Sequence, residues 1–153
     1  SYYNLFGLKS TGLRFFTVYG PWGRPDMAYF IFTKNIIENR AIELFNAGNM
    51  VRDFTYVDDI ILGLKAAIVK NYDCEVFNLG NNQPEKITKI INVIESIINK
   101  KAIVNLRSMQ LGDVNQTFAS IEKAQKMLDF KPVTNIEDGM NRFIKWYNNY
   151  RSM

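Results

Sequence analysis

A near-continuous apolar run over residues 13–19 breaks at Gly20 into a loop with two glycines and two prolines, and a helix follows. Spelled out, Leu13-Arg-Phe-Phe-Thr-Val-Tyr-Gly-Pro-Trp-Gly-Arg-Pro-Asp-Met27 joins a strand to a helix through a stiff polar turn that carries Arg24. A strand buried on both faces that ends this way is how an open α/β sheet offers a ligand site at its carboxyl edge.

The rest of the chain continues the alternation. Residues 1–7 read as the last turn of a helix capped by Gly7, and such an opening predicts a chain cut from something longer. Asp26 is placed as the N-cap of a helix with apolar positions Met27, Phe30, Ile31 and Ile37. Short strands at residues 42–45 and 52–57 are joined by a turn around Gly48, and Asp58 and Asp59 begin a helix through Ile60, Leu64, Ala67 and Ile68. A strand at 75–79 precedes a strongly patterned helix with Ile87, Ile90, Ile91, Ile94, Ile97 and Ile98 on one face. A strand at 102–106, a loop at 110–115 and a helix near 120–128, with Ser120 as N-cap, follow. The last helix opens with a capping box, Thr134 to Glu137. The fold class is therefore α/β. With 153 residues, 47% of them hydrophobic, and no linker or repeat, residues 1–153 read as a single α/β unit around one core.

Several chemistries are excluded by composition. The chain has no histidine and one cysteine, Cys74, so Ser-His-Asp and Cys-His catalysis, an intrachain disulfide and a structural zinc site are ruled out within it. The single cysteine suits a reducing cytosol, and a cytoplasmic location is the expectation. No apolar run approaches the roughly 20 residues that cross a bilayer. The net charge of +4 is spread over lysines scattered among glutamates and asparagines. A nucleic-acid surface needs a clustered patch, so no nucleic-acid partner is expected; a small anionic ligand suits the bias. No G-x-G-x-x-G or G-x-x-x-x-G-K spacing occurs, and no tyrosine is followed by lysine four residues later.

Among candidate site residues, Arg24 sits between Gly23 and Pro25 with little packing purpose, and its fork suits a carboxylate or phosphate; a solvated loop arginine is the alternative. Thr17 is either a satisfied core hydroxyl or a ligand contact. Arg52 either pairs with Asp53 or holds a diphosphate from a strand edge. Asp58 and Asp59 fit an N-cap plus a charge complementing the helix dipole. Phe15, Phe16, Tyr19 and Trp22 read as core, and Asp113 as a turn former or an acceptor for ribose hydroxyls.

The runs Arg14-Phe-Phe-Thr-Val-Tyr-Gly-Pro-Trp-Gly-Arg-Pro-Asp-Met-Ala28 and Arg52-Asp-Phe-Thr-Tyr-Val-Asp-Asp-Ile60 closely resemble the UDP-glucuronate 4-epimerases. These are Rossmann-like extended short-chain dehydrogenase/reductases of capsule and cell-wall sugar synthesis. The likeness continues through Met109-Gln-Leu-Gly-Asp-Val114 to Phe143-Ile-Lys-Trp-Tyr147 and so covers nearly the whole chain. It implies a UDP-sugar ligand, NAD as cofactor, and oxidation at C4 to a 4-keto intermediate that turns over before reduction. By position it assigns Thr17 and Arg24 to the glucuronate carboxylate, Arg52 to the diphosphate, Asp113 to the uridine ribose, Phe45 to the uracil and Phe15 to the nicotinamide.

The family's glycine-rich turn and catalytic Tyr-x-x-x-Lys are missing from this sequence. The resemblance therefore implies the carboxyl-terminal half of such an enzyme, including its substrate-binding subdomain. The amino-terminal NAD-binding half would be absent, with no catalytic residue and no metal ligand in this chain. It allows for a homodimer of the full-length enzyme. A UDP-glucuronate decarboxylase, a 4,6-dehydratase of the same superfamily, and a truncated non-catalytic nucleotide-sugar-binding module stand as alternatives.

Overall fold

The computed structural model describes residues 1–109, 112 and 114–152. Helix α1 (Tyr2–Phe6) ends at Gly7, whose left-handed φ of 64° lets its N–H reach the Tyr3 carbonyl at 2.8 Å, as expected of a glycine cap. Strand β1 (Ser10–Phe15) then runs parallel to β5 (Cys74–Leu79), with Ser10 opposite Cys74 and Phe15 opposite Leu79.

At Phe16 the chain changes neighbours. The Phe16 N–H still reaches Leu79 O, but the Val18 N–H turns back onto Phe16 O at 2.9 Å. Strand β2 (Thr17–Tyr19) then pairs in parallel with β4 (Val51–Tyr56). The single strand expected over residues 13–19 is thus two, split by a tight step that serves two partners. Burial on both faces is also corrected: Leu13 is half-buried, while Arg14 and Phe15 are exposed.

Strands β3 (Ala41–Phe45) and β4 follow one another through a 3₁₀ turn at Asn46–Gly48 but do not pair. Strand β3 lies parallel to β7 (Ile103–Arg107), and β4 turns its other edge to antiparallel β6 (Pro84–Lys86). Strand β6 escapes a sequence reading because it has three residues and begins with proline, which cannot donate to a ladder.

Two helical groups complete the molecule. Helices α2 (Ala28–Ile37), α4 (Ile87–Ile98) and α6 (Ile136–Arg151) pack against β3 and β4 around Tyr19, Phe30, Ile42, Phe54, Ile90, Ile94 and Phe143. A second core of Ile60, Phe77, Leu79, Ala124 and Leu128 lies between α3 (Val57–Lys70), α5 (Glu122–Leu128) and β5. The expected single core is therefore two clusters. The isoleucine stripe of α4 is the segment whose period dictates its burial most directly, with Ile90 and Ile94 fully enclosed. By contrast α3 leaves Ile61, Leu62, Ile68 and Val69 exposed on its outer face. No helix among the described residues is long and apolar enough to cross a membrane.

The caps differ from expectation by one residue or more. Helix α6 is capped by Asn135, whose Oδ1 accepts the Asp138 N–H at 2.8 Å and whose Nδ2 donates to the Asp138 carboxylate at 2.9 Å. The cap sits one step beyond the expected Thr134–Glu137 box, and its return contact runs from the Asn135 side-chain amide, not from the backbone N–H that a capping box uses. The Thr134 N–H is instead taken by buried Asp59 at 3.0 Å. Asp58 and Asp59 stand in the first turn of α3, where their charge suits the dipole, but the N-cap is Tyr56. Ser120 gives its hydroxyl to Glu122, and Ile121 takes the cap position of α5.

Candidate functional site

Two clefts open beside the 20–25 loop. The first, about 480 Å³, is lined by Thr17, Phe45, Arg52, Phe54, Asp26 and Met27, among others. The second, about 390 Å³, is lined by Phe15, Trp22, Arg24, Tyr29, Val57 and again Met27. Thr17, Phe45 and Arg52 are therefore brought together, and Phe15 and Arg24 are brought together next door. Thr17 and Arg24, assigned by resemblance to one carboxylate, face different clefts with Met27 on the wall of both.

Each side chain is placed by a local cause. Thr17 opens β2 immediately after the step at Phe16 and is half-buried at the rim rather than enclosed in the core. Phe45 ends β3, and the left-handed Asn46 and Ala47 that follow turn the chain away from its ring. On the same strand Glu43 receives the Arg107 guanidinium and the Asn105 amide, and Arg107 holds its carboxyl below the ordinary range.

Arg52 is the second residue of β4, half-buried. Its Nη1 donates to Val51 O at 2.9 Å and to Asn115 O at 3.4 Å, which fixes the stem of the guanidinium at the cleft wall. The 115–117 segment lies beside this point, with Val51 N–H on Asn115 O and Thr117 N–H on Val51 O. Asp113, expected near the ribose, lies outside the described residues. Pairing between Arg52 and Asp53 is not the role Asp53 plays. Successive strand residues face opposite ways, and Asp53 is fully buried, accepting from Asn81 N, Asn82 N and Ala119 N at 2.8, 3.0 and 2.9 Å.

Arg24 does present its fork to a carboxylate, but to the protein's own. Its Nε and Nη2 donate to Asp26 Oδ1 and Oδ2 at 3.1 and 2.5 Å, and both side chains are exposed. The guanidinium holds the Asp26 carboxyl below its ordinary range. Engaged in this way, Asp26 does not cap α2; Met27 takes that position. The sequence held the signal: a proline between an arginine and an aspartate fixes φ and keeps the two close.

The aromatic residues divide. Tyr19 is core, its hydroxyl donating to Asn135 O at 3.2 Å, and burial followed by the nearby Asp59 charge raises its pKa. Phe16 packs half-buried against the second core. Phe15 and Trp22 correct the core expectation, because 50% and 78% of their surfaces are exposed on the second cleft. Tyr29, not singled out by sequence, fills the space beside Gly23, where a Cβ would lie 1.8 Å from its hydroxyl. Among the described residues no group of three acidic or cysteine side chains could hold a metal.

Another groove, about 590 Å³, lies elsewhere, between α4 and α6. Its Lys89 is already engaged by Glu85 at 2.5 Å and Glu137 at 3.6 Å, so its charge is spent within the protein. The smaller pair of clefts combines aromatic rings, two arginines and the Thr17 hydroxyl beside strand ends, the usual place for a ligand in an α/β sheet.

Comparison with known proteins bears on this arrangement. Residues 1–80 match the NAD dependent epimerase/dehydratase family. The chain is 51% identical to an uncharacterized protein of Methanocaldococcus jannaschii over 95% of this chain and 45% of that protein. It is 43% identical to UDP-glucuronate 4-epimerase 4 of Arabidopsis thaliana, over 99% of this chain and 39% of the relative. The crystal structure of UDP-glucuronic acid 4-epimerase from Bacillus cereus, in complex with UDP-glucuronic acid and NAD, superposes with a TM-score of 0.91 at 36% identity. The match covers 97% of this chain and 48% of that one. The chain thus spans about half the length of the relatives it matches, and its mixed α/β architecture is that of the Rossmann-like extended short-chain dehydrogenase/reductases.

Proposed function

Because the chain belongs to the NAD dependent epimerase/dehydratase family, we propose that it forms the nucleotide-sugar-binding portion of a 4-epimerase that converts UDP-glucuronate to UDP-galacturonate. The observation that carries this reading is the single cleft lined by Thr17, Phe45 and Arg52, with Arg24 on its neighbour. Phe45 offers a flat face to the uracil. Arg52 offers a charge-assisted fork to the diphosphate, already braced by two carbonyls. Arg24 meets the C6 carboxylate from the second cleft, exchanging or sharing its contact with Asp26. Thr17 hydrogen-bonds the ligand where the two clefts meet at Met27, and Asp113 takes the ribose hydroxyls.

NAD supplies hydride acceptance and return at the sugar's C4. Among the described residues, the half-exposed ring of Phe15 fits it, standing at the carboxyl end of β1 where a nicotinamide could pack. The sequence has no glycine-rich phosphate loop, so this chain's own work is to bind the UDP-sugar, aim its acid group and shield the apolar wall.

Calorimetry of the chain with UDP, UDP-glucose and UDP-glucuronate tests the reading. Arg52→Ala is expected to weaken all three about 30-fold, roughly 2 kcal/mol for a charge-assisted contact. Arg24→Ala is expected to weaken UDP-glucuronate about tenfold while sparing UDP-glucose. No binding of UDP to the native chain, or equal loss for both sugars on removing Arg24, would count against it. Product analysis on a full-length enzyme separates the alternatives, since a decarboxylase releases CO₂ and a dehydratase a 4-keto-6-deoxy sugar.

A further inference from the structure

Trp22 holds a backbone conformation that its side chain does not favour. Its φ is 60°, the left-handed region that a residue with a bulky side chain occupies only when its surroundings hold it there. Burial is not what holds it, because most of its surface is exposed. What touches it comes from the far end of the chain. Its indole lies 5.3 Å from the Trp146 ring and 5.8 Å from the Tyr150 ring. Trp146 and Tyr150 stand one turn apart on α6 and stack at 5.2 Å with only 19° between their planes. Trp146 in turn leans on Phe143 of the core at 5.8 Å. A continuous row of rings therefore runs from the core, along the last turns of α6, to the middle of the 20–25 loop.

That loop carries Arg24 two residues beyond Trp22, and both line the second cleft. We propose that Trp146 and Tyr150 are positioning residues: by clamping Trp22 in its left-handed conformation they aim Arg24 at the acid group of the sugar. This rests on the reading of Arg24 given above. The clamp acts on the sugar end alone, because Phe45 and Arg52 sit on other strands and on the other cleft. Selectivity between an acidic and a neutral sugar is thus set partly from the carboxyl end of the chain.

The test is calorimetry of Tyr150→Ala, Trp146→Ala and Trp146→Phe with UDP, UDP-glucose and UDP-glucuronate. Tyr150→Ala changes an exposed residue and keeps the core intact, so it serves should Trp146→Ala fail to fold. Each alanine variant is expected to lower UDP-glucuronate affinity about five- to tenfold, in keeping with the loss of an aromatic pair. UDP and UDP-glucose should hold within about twofold, and Trp146→Phe should recover most of the loss. The chain's two tryptophans are the two in this row. Their fluorescence should therefore shift on adding UDP-glucuronate and stay unchanged with UDP. Unaltered UDP-glucuronate binding in both alanine variants, or equal weakening of all three ligands, overturns the proposal. If the native chain itself shows no preference for UDP-glucuronate over UDP-glucose, the functional reading fails, and the clamp proposal with it.

Discussion

Asp53→Asn is expected to lower the folding free energy by about 3 kcal/mol, and Asp53→Ala by about 4 kcal/mol. The carboxylate is sealed from solvent and serves four donors: the N–H groups of Asn81, Asn82 and Ala119, and the Thr55 hydroxyl at 3.3 Å. Every lone pair faces a hydrogen. An amide in the same place has one oxygen, and its NH₂ must point either at Asn81 N–H or at the Asn82 and Ala119 N–H groups. At least one buried backbone donor then meets another donor, and the cost of an unsatisfied buried group applies. Alanine leaves all three backbone donors bare. Urea unfolding, with a midpoint that drops at unchanged slope, is the measurement. A loss below about 1 kcal/mol for the alanine variant would mean that water or a neighbour replaces the carboxylate. Two separate segments, at 81–82 and at 119, converge on this one side chain of β4, so its removal is also expected to loosen the 115–117 segment that braces Arg52.

Gly139→Ala offers a contest of signs. In an exposed helix the change would stabilise by about 1 kcal/mol, because alanine is the better helix former. Here a Cβ would stand 2.0 Å from the Tyr19 hydroxyl and 2.6 Å from Cζ. Tyr19 has nowhere to go, since Tyr29, Phe54 and Tyr56 each meet its ring edge-on at 5.5 to 6.1 Å. Overpacking of about 4 kcal/mol against a gain of about 1 leaves a net loss of about 3 kcal/mol. Thermal or urea unfolding of the variant reads the sign directly. Combining it with Tyr19→Leu should give a loss well short of the sum of the two single changes. A more stable Gly139→Ala protein would show that α6 shifts freely away from β2.

Much of this was legible in residues. The period of six isoleucines placed α4 and its buried face, and the glycine after Phe6 placed the end of α1. Those signals are local, and local chemistry decides them. The split of residues 13–19 was not legible, because it depends on which strand lies alongside: β5 as far as Phe15, β4 from Thr17. The non-pairing of β3 with β4 is a second instance, since consecutive strands usually neighbour one another. At the site, the residue type of Arg52 suggested an anion, whereas Phe45 was assigned by resemblance alone; the fold brings both residues to one cleft with Thr17. Asp26, expected as a cap, and Asp53, left open as a partner of Arg52, were hard to place for one shared reason. A carboxylate beside an arginine, or before a helix, has several partners in reach, and only the three-dimensional arrangement chooses among them.

The pairing of Ser10 with Cys74 and of Ala41 with Ile103 carries a consequence in time. Each parallel pair closes a loop of roughly sixty residues, and such closures spend chain entropy before any contact returns it. Helices such as α4 can form in isolation within microseconds, yet neither cleft can exist until strands far apart in the chain have met. The ability to bind should therefore arise in the slowest phase of folding, all at once. A ligand added during refolding would then report the final step alone.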